Sequence, residues 1–337
     1  MAAALALSER GRGRTAPNPN VGCVIVRDGI VVGRGWTQPK GRPHAEAMAL
    51  AQAGEAARGA TAYVTLEPCA LPGRGPPCAG ELIRAGVARV VAAIGDPFPA
   101  VDGAGFRALE AAGIALTVGV LAAEAERAMA GFLTRQRHGR PHVTLKLALS
   151  LDGAMALGSG ASRWITGAQA RAHAHLERAR HEAILVGRGT RATDAPTLDV
   201  RLAGLADRSP RRVVLGRSPA DPAGDAGWHG IATPHDIARL PDVDHLLVEG
   251  GPLTAAAFLA ADLVDRLTLY RAPIVIGGGL TLPGIGLDDL ADAHGRWRMT
   301  DARSLGSDRL EVYERRRDGV VPARVASGPA RGGGWTG

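Results

Sequence analysis

Apolar positions along the chain come in short runs of two kinds, and the two kinds alternate. Runs of four to eight apolar or β-branched residues predict strands; apolar residues three and four apart predict helices. Residues 2–10 predict a short helix and 15–20 a Pro/Asn loop. Strands are expected at 21–27 and 30–36, joined by Asp28-Gly29, a pair that favours a tight hairpin turn. Then come helix 44–53, strand 62–66, helix 78–85 ended by Gly86, strand 87–94, helix 106–112, strand 114–118 and a longer helix over 121–137.

Residues 137–141 read as a linker, after which the pattern restarts. Over 142–151, Val143, Leu145, Leu147 and Leu149 share one face of a strand; Thr144, Lys146, Ala148 and Ser150 share the other. Helix 168–180, strands 183–186, 212–215 and 245–248, helix 253–261, two apolar runs within 263–276 and a closing strand 309–315 follow. Beyond residue 318 the Gly/Pro/Ala/Arg-rich composition predicts disorder. Strands alternating with helices predict an α/β layer sandwich with a largely parallel sheet. No internal repeat is present.

The length of 337 residues suggests two domains, and 46% apolar residues suffice for ordinary cores. Residues 1–7 are apolar but too short and uncharged for a leader, so they read as helix. No apolar run reaches the roughly 18 residues of a membrane span. Three cysteines make no disulfide framework, which fits a reducing, cytoplasmic setting. The net charge of +7 is almost all arginine, because Lys40 and Lys146 are the only lysines. The arginines are scattered and aromatic residues are only 4%, so no basic, aromatic-interleaved surface for a polynucleotide is visible. A phosphorylated metabolite suits the charge better.

The densest chemistry lies between Pro43 and Cys78. His44-Ala45-Glu46 is followed by Glu67-Pro68-Cys69 and by Cys78. One imidazole and two thiolates can hold a zinc ion with a fourth position open, and such an ion lowers the pKa of bound water to about 7. Glu46, two residues from the first ligand, is placed to take and return a proton. These are the parts of a zinc nucleobase deaminase. The alternative is a closed structural zinc site with Cys23 as fourth ligand. Cys23 sits in the apolar run 21–26, where a free cysteine acts as a small hydrophobe, and that site would leave Glu46 without a role. Cys78 opens a helix behind Pro77, a setting that favours a thiolate.

In the second half, a lysine on a central strand points to a site; the alternative is an edge-strand lysine facing water. Glu249-Gly250-Gly251-Pro252 ends a strand and starts a helix, where glycines let phosphates approach backbone N–H groups. There is no Gly-x-Gly-x-x-Gly after a strand and no Walker A motif, which argues against a standard dinucleotide-binding half.

Glu67-Pro68-Cys69 and the loop from Gly73-Arg74 to Pro76-Pro77-Cys78 resemble the deaminase half of the bifunctional deaminase–reductases of riboflavin biosynthesis. The second half resembles the reductase of the same family. The matching pieces are residues 146–153, 162–166, 186–190, 194–198 with Arg201, and 248–252, so the similarity spans roughly 1–316. The resemblance implies a cytidine-deaminase-like three-layer α/β/α domain over 1–138. It implies a dihydrofolate-reductase-like α/β domain over 142–317 and a tail over 318–337. It implies Zn2+ on His44, Cys69 and Cys78, with Glu46 as proton shuttle. Asn20 and Arg74 would contact the deaminase substrate. NADPH would meet Ala148, Trp164, Thr190, Asp194 and the turn Gly251, Pro252, Leu253 and Thr254. Ser162, Arg178, Leu198, Arg201 and Glu249 would hold the phosphoribosyl substrate. Lys146, from its strand face, is expected to be the catalytic residue beside Glu249, the alternative being a structural Lys–Glu ion pair. Arginine suits phosphate through its planar fork.

The loop reads Cys69-Ala70-Leu71-Pro72-Gly73-Arg74-Gly75-Pro76-Pro77-Cys78. The family's usual Cys-Ser-His-x-Gly-[Lys/Arg]-Thr-Pro-Pro-Cys keeps its basic residue here but loses the histidine and the threonine. Ala195 replaces a polar residue and Gly216-Arg217 an Asp-Ser pair. The expected partner is a small phosphoribosyl pyrimidine, without nucleic acid or membrane, and the chain is expected to form a homo-oligomer. Two rival readings are a zinc nucleoside or nucleobase deaminase with a degenerate second domain, and an RNA-editing-type deaminase.

Overall fold

The structure is a computed structural model that describes residues 1–70, 75–98, 101–216 and 227–317. Arg74, Arg217 and the segment 318–337 therefore lie outside the described residues.

The first half runs α1 (Ala2–Ser8), β1 (Gly22–Arg27), β2 (Ile30–Trp36), α2 (Ala45–Ala53), β3 (Thr61–Val64), α3 (Cys78–Arg84), β4 (Arg89–Ala92), α4 (Ala104–Ala111), β5 (Ala115–Val118), α5 (Ala122–Ala128) and α6 (Ala130–His138). Its sheet has the order β2-β1-β3-β4-β5. Asp28 and Gly29 both adopt positive φ, so the hairpin closes as the dipeptide predicts. That turn makes β1 antiparallel to β2, and β3 returns antiparallel to β1. The β3–β4 and β4–β5 pairings are parallel and the other two antiparallel, so the sheet of this half is mixed rather than largely parallel. The single helix expected over 121–137 is two helices, because Met129 leaves helical geometry at φ −104°, ψ 19° and turns the chain. Helices α1 and α2 pack on opposite faces of β1, which gives three layers. Ile25, Leu82, Leu109 and Met129 are fully buried in the core between them.

The second half runs β6 (His142–Leu149), α7 (Ala168–Arg178), β7 (Ala183–Gly187), α8 (Arg188–Asp194), β8 (Arg211–Leu215), β9 (Trp228–Ile231), β10 (His245–Val248), α9 (Pro252–Ala260), β11 (Arg266–Arg271), α10 (Leu290–Ala293), β12 (Trp297–Leu305) and β13 (Asp308–Arg315). The sheet order is β12-β13-β11-β6-β10-β7-β8-β9. Six neighbouring strands from β11 to β9 are parallel, and β13 and β12 close the edge antiparallel. Val143, Leu145, Leu147 and Leu149 enter one core as their alternation predicts. The apolar runs within 263–276 contribute one strand, β11, while β9, α8, α10 and β12 were not anticipated. Strand β12 is a polar edge strand with no buried residue, so it carries no apolar alternation to read.

The halves meet where β6 and β10 begin. The Gly131 N–H at the start of α6 donates to His245 Nε2 (3.2 Å), and Arg135 reaches the carbonyls of Ala238, Leu240 and Val243. Arg12 is 7% exposed, with its charge set among Glu9, Glu177 and Arg266. The buried rings of His142 and His181 each lie close to that of His245, at 6.1 and 6.0 Å between centres. Among the described residues no helix is long and apolar enough to cross a membrane.

Candidate active sites

Two helix starts and one loop build the metal centre. His44 is the N-cap of α2, Cys78 is the first residue of α3 behind Pro77, and Cys69 lies in the loop after β3. His44 Nδ1 lies 3.2 Å from Cys78 Sγ and 3.7 Å from Cys69 Sγ, and all three donor atoms fall within 4.8 Å of one another. Zn–N and Zn–S bonds of about 2.0 and 2.3 Å at a tetrahedral angle place nitrogen and sulfur about 3.5 Å apart. The observed distances bracket that value, so the donor set fits zinc without rearrangement. Cys23 stays outside this cluster, fully buried in β1, and burial pushes its thiol well up.

The electrostatics agree. A hydrogen bond with Cys78, and after it the His44 imidazole, hold the Cys69 thiol down at about 4, while Cys78 is raised by that same bond and by burial. Two sulfurs and an imidazole nitrogen at this spacing suit a divalent cation. The Cys78 N–H at the start of α3 also donates to Cys69 Sγ (3.4 Å). Glu46, in the first turn of α2, is 4% exposed; burial and then the Cys69 thiolate push its carboxyl up to about 7.

Glu46, His44 and Cys69 line a cavity of about 260 Å³. Its other walls come from Asn18 and Thr37, from Asp96 and Phe98, and from Phe132 and Gln136, one turn apart on α6. Burial, and after it the charges of Glu67 and Cys69, push Asp96 up to about 6. The sequence reading missed these walls. The Asp96-Pro97 turn after β4 was the one available signal; the α6 pair had none beyond its spacing. Asn20 is buried, and its amide donates to the carbonyls of Ser8 (3.3 Å) and Ala128 (3.1 Å). It braces α1 and the α5–α6 turn, and Asn18 is the asparagine on the cavity wall.

Of the residues expected to act in the second half, Lys146 on β6, Arg178 at the end of α7 and Glu249 just beyond β10 come together. Lys146 Nζ lies 3.8 Å from Glu249 Oε2 and 5.7 Å from the centre of the Tyr270 ring. Arg178, from α7, grips Glu249 with Nε to Oε1 at 2.8 Å and Nη2 to Oε2 at 2.9 Å, and its Nη1 donates to the Asp199 carbonyl (3.1 Å). Burial alone would raise the Glu249 carboxyl; Lys146 and Arg178 outweigh it and hold the group at about 2. Arg178, expected as a phosphate fork, is thus engaged with a buried carboxylate and a carbonyl. Leu198 is buried at positive φ, and Arg201 is exposed against His175 (Nε to Nε2, 3.4 Å).

Two β–α turns form the remaining wall. Thr254, in the first turn of α9, packs so closely on Gly187 and Gly250 that a methyl group at either would overlap it. Gly251 faces only Thr190 Oγ1, 3.7 Å from where a Cβ would stand, and Gly189 faces open space. The backbone at the starts of α8 and α9 is therefore open to an anionic ligand, a cradle that suits the phosphates of a dinucleotide. Leu253 is exposed beside it, and Pro252 opens α9. Trp164 is 65% exposed, with the Arg171 guanidinium 4.8 Å from its ring centre; Arg163 ties this loop to the Asp194 carbonyl at the end of α8 (3.2 Å). Ser162 is exposed on the same loop, and Ala148 is half-buried on the Lys146 face of β6.

A zinc deaminase centre on one α/β half and an open dinucleotide cradle on the other define a fused deaminase–reductase. Residues 1–94 match the cytidine and deoxycytidylate deaminase zinc-binding region, and residues 141–228 and 236–310 match the RibD C-terminal domain. The riboflavin biosynthesis protein RibD of Escherichia coli is 42% identical, covering 91% of this chain and 96% of its own. That of Mycobacterium tuberculosis H37Rv is also 42% identical, over 92% and 95%. The Acinetobacter baumannii RibD structure superposes with a TM-score of 0.84 at 36% identity, covering 93% of this chain and 97% of its own. A Thermotoga maritima structure described as a diaminohydroxyphosphoribosylaminopyrimidine deaminase/5-amino-6-(5-phosphoribosylamino)uracil reductase gives 0.82 at 32%, over 93% and 96%. The chain belongs to the RibD family and is a bifunctional deaminase–reductase of riboflavin biosynthesis. Its halves are a zinc-binding deaminase region and a RibD C-terminal reductase domain.

Proposed function

We infer that the chain converts one phosphoribosyl pyrimidine in two steps. The first hydrolyses the 2-amino group of 2,5-diamino-6-(5-phosphoribosylamino)pyrimidin-4(3H)-one, giving the uracil and ammonia. The second reduces the ribosyl group to ribityl phosphate. The observation that carries the reading is the donor cluster of His44, Cys69 and Cys78 beside a cavity lined by His44, Cys69 and Glu46. The proposed division is a deaminase half over 1–138 and a reductase half over 142–317, each with its own sheet.

Zinc, when bound, makes water acidic enough to lose a proton near pH 7. His44, Cys69 and Cys78 would hold the metal beside the cavity. Glu46 takes the proton from the attacking water and delivers it to the departing 2-amino nitrogen; a carboxyl raised by burial suits both transfers. Phe98 and Phe132 enclose the ring, and Asp96 and Gln136 offer acceptor and donor groups to its edge. Asn20 acts from behind the wall. Arg74, proposed for the phosphate, lies outside the described residues.

NADPH, when bound, would supply the hydride for C1′ of the ribose. Opening of the C1′–O4′ bond leaves O4′ in need of a proton, and Lys146 is placed to give it. Glu249 holds the ribosyl hydroxyls, and Arg178 fixes Glu249 from behind. Arg201 and Ser162, both exposed at the rim, are the proposed partners of the substrate phosphate, and Leu198 shapes the floor. Ala148, Trp164, Thr190, Asp194 and the turn 251–254 hold NADPH. The reading takes a small molecule rather than a nucleic acid or a membrane, a cytoplasmic enzyme whose zinc thiolates are supported by a reducing compartment, and a homo-oligomer.

Incubation with the diaminopyrimidine substrate, with and without NADPH, followed by mass analysis tests this. Exchange of the amine for oxygen is expected without NADPH, and addition of two hydrogens only with it. An unchanged substrate mass with zinc-loaded enzyme would refute the deaminase assignment.

A further inference from the structure

Glu67 stands two residues before a zinc ligand and lines the same cavity, yet it is not among the clustered donor groups. It is 3% exposed, and its two oxygens accept four backbone N–H groups from a segment some thirty to forty residues away in sequence. Oε2 accepts from Asp96 (3.2 Å) and Gly103 (3.1 Å); Oε1 accepts from Gly105 (2.8 Å) and Phe106 (3.3 Å). Gly103 is the N-cap of α4, and Gly105 and Phe106 lie in its first turn, so a remote carboxylate caps this helix. An ionised carboxylate has about four acceptor positions, and all four are filled. The seat is also tight: a methyl group on Gly105 would overlap the Pro68 carbonyl oxygen. The same segment supplies Asp96 and Phe98 to the cavity, with the Phe98 N–H held by Asp96 Oδ1 (2.9 Å).

We propose that Glu67 is a positioning residue for the deaminase. It fixes the wall carrying Asp96 and Phe98 to the peptide that carries zinc ligand Cys69, and so sets the spacing between pyrimidine and metal. The proposal rests on the deaminase reading above. One backbone stretch, Glu67-Pro68-Cys69, then serves both walls of the cavity: the thiolate faces the metal and the carboxylate holds the opposite side. Such a residue governs how well the ring is seated rather than whether the metal is present.

The test uses the full chain with zinc bound. In Glu67→Gln the carboxamide loses acceptor positions and turns a donor toward N–H groups. Zinc content and NADPH-dependent reduction of pre-deaminated substrate should match the parent, and the deaminase KM should rise about tenfold or more with a smaller change in kcat. Amide hydrogen exchange at Gly103, Gly105 and Phe106 should accelerate. Gly105→Ala, which displaces the same segment with Glu67 intact, should reproduce the KM effect and decides the matter if the first variant does not fold. A deaminase KM within about twofold of the parent, or loss of zinc, would overturn the proposal. Unchanged exchange at those amides would overturn it whatever the substrate proves to be. Failure of the parent itself to deaminate the pyrimidine would instead count against the reading of the site, and the exchange comparison would still decide the tether.

Discussion

Arg178 holds both oxygens of Glu249, at 2.8 and 2.9 Å, while Lys146 Nζ stands 3.8 Å from one of them. The buried carboxylate therefore does not depend on the lysine for its partner. A structural Lys–Glu pair and a catalytic lysine predict different outcomes, and the fork separates them.

Lys146→Met should fold with a melting temperature near that of the parent, bind NADPH and lose reduction, with deamination intact. Arg178→Ala removes two charged hydrogen bonds from a buried carboxylate and should destabilise the chain by about 3 kcal/mol. Thermal melts of both variants beside both activities check this. A greater loss of stability in the lysine variant than in the arginine variant would show that the lysine is the structural partner.

Glu46→Gln keeps all three ligands, so zinc should remain bound. Deamination should fall by roughly 10²-fold or more, the scale of a lost general acid–base group. Metal analysis and a single-turnover deamination assay check the two halves of this statement. Chelation of the zinc from the parent should abolish deamination and spare reduction.

Gly187→Ala should lower the melting temperature by overpacking, a cost of about 1–3 kcal/mol, because the new methyl meets Thr254 Oγ1. Adding Thr254→Ala should recover most of that loss. The same partner should not rescue Gly250→Ala, whose methyl meets the Thr254 Cβ that remains. Four melting curves decide it, and equal rescue of both glycines would show that the turns yield.

Acid should loosen the seam between the halves. Burial, foremost, holds His142 and His181 at about 3, far below the ordinary 6.5. A folded value below the unfolded one gives stability that is complete above about pH 6.5. It is lost as pH falls toward 3, by up to about 1.4 kcal/mol per unit for each ring. Asp244, which burial and then Glu182 push up to about 7, works in the opposite sense. The measurement is therefore the difference in slope of melting temperature against pH between the parent and His142→Gln. A flatter acid limb is expected in the variant, and parallel limbs would rule the histidine out.

The metal centre was legible because its chemistry is local. His44, Glu46, Cys69 and Cys78 are fixed by two helix starts and one loop, each written in its own few residues. The β6 alternation was equally plain, since four buried aliphatics leave Lys146 only one direction. The break at Met129 was not legible, because an Ala-rich stretch favours helix on both sides and tertiary packing decides the turn. The duty of Arg178 was hidden too. An arginine near a predicted phosphate site looks the same in sequence whether it faces the phosphate or a carboxylate 71 positions away. Glu67 was visible as part of a motif, but its four partners lie 29 to 39 positions downstream, and nothing in the motif names them.

Only residues 139–141 separate α6 from β6, so the seam is also the place where a molecular biologist would cut. A fragment begun at residue 142 would turn His142, His245 and Glu177 to water and would lose Arg12, which is buried among them in the whole chain. Weak activity in such a fragment would measure the wound left by the scissors, not the competence of the catalyst. Dissecting this enzyme calls for silencing one site by point substitution while both halves stay joined.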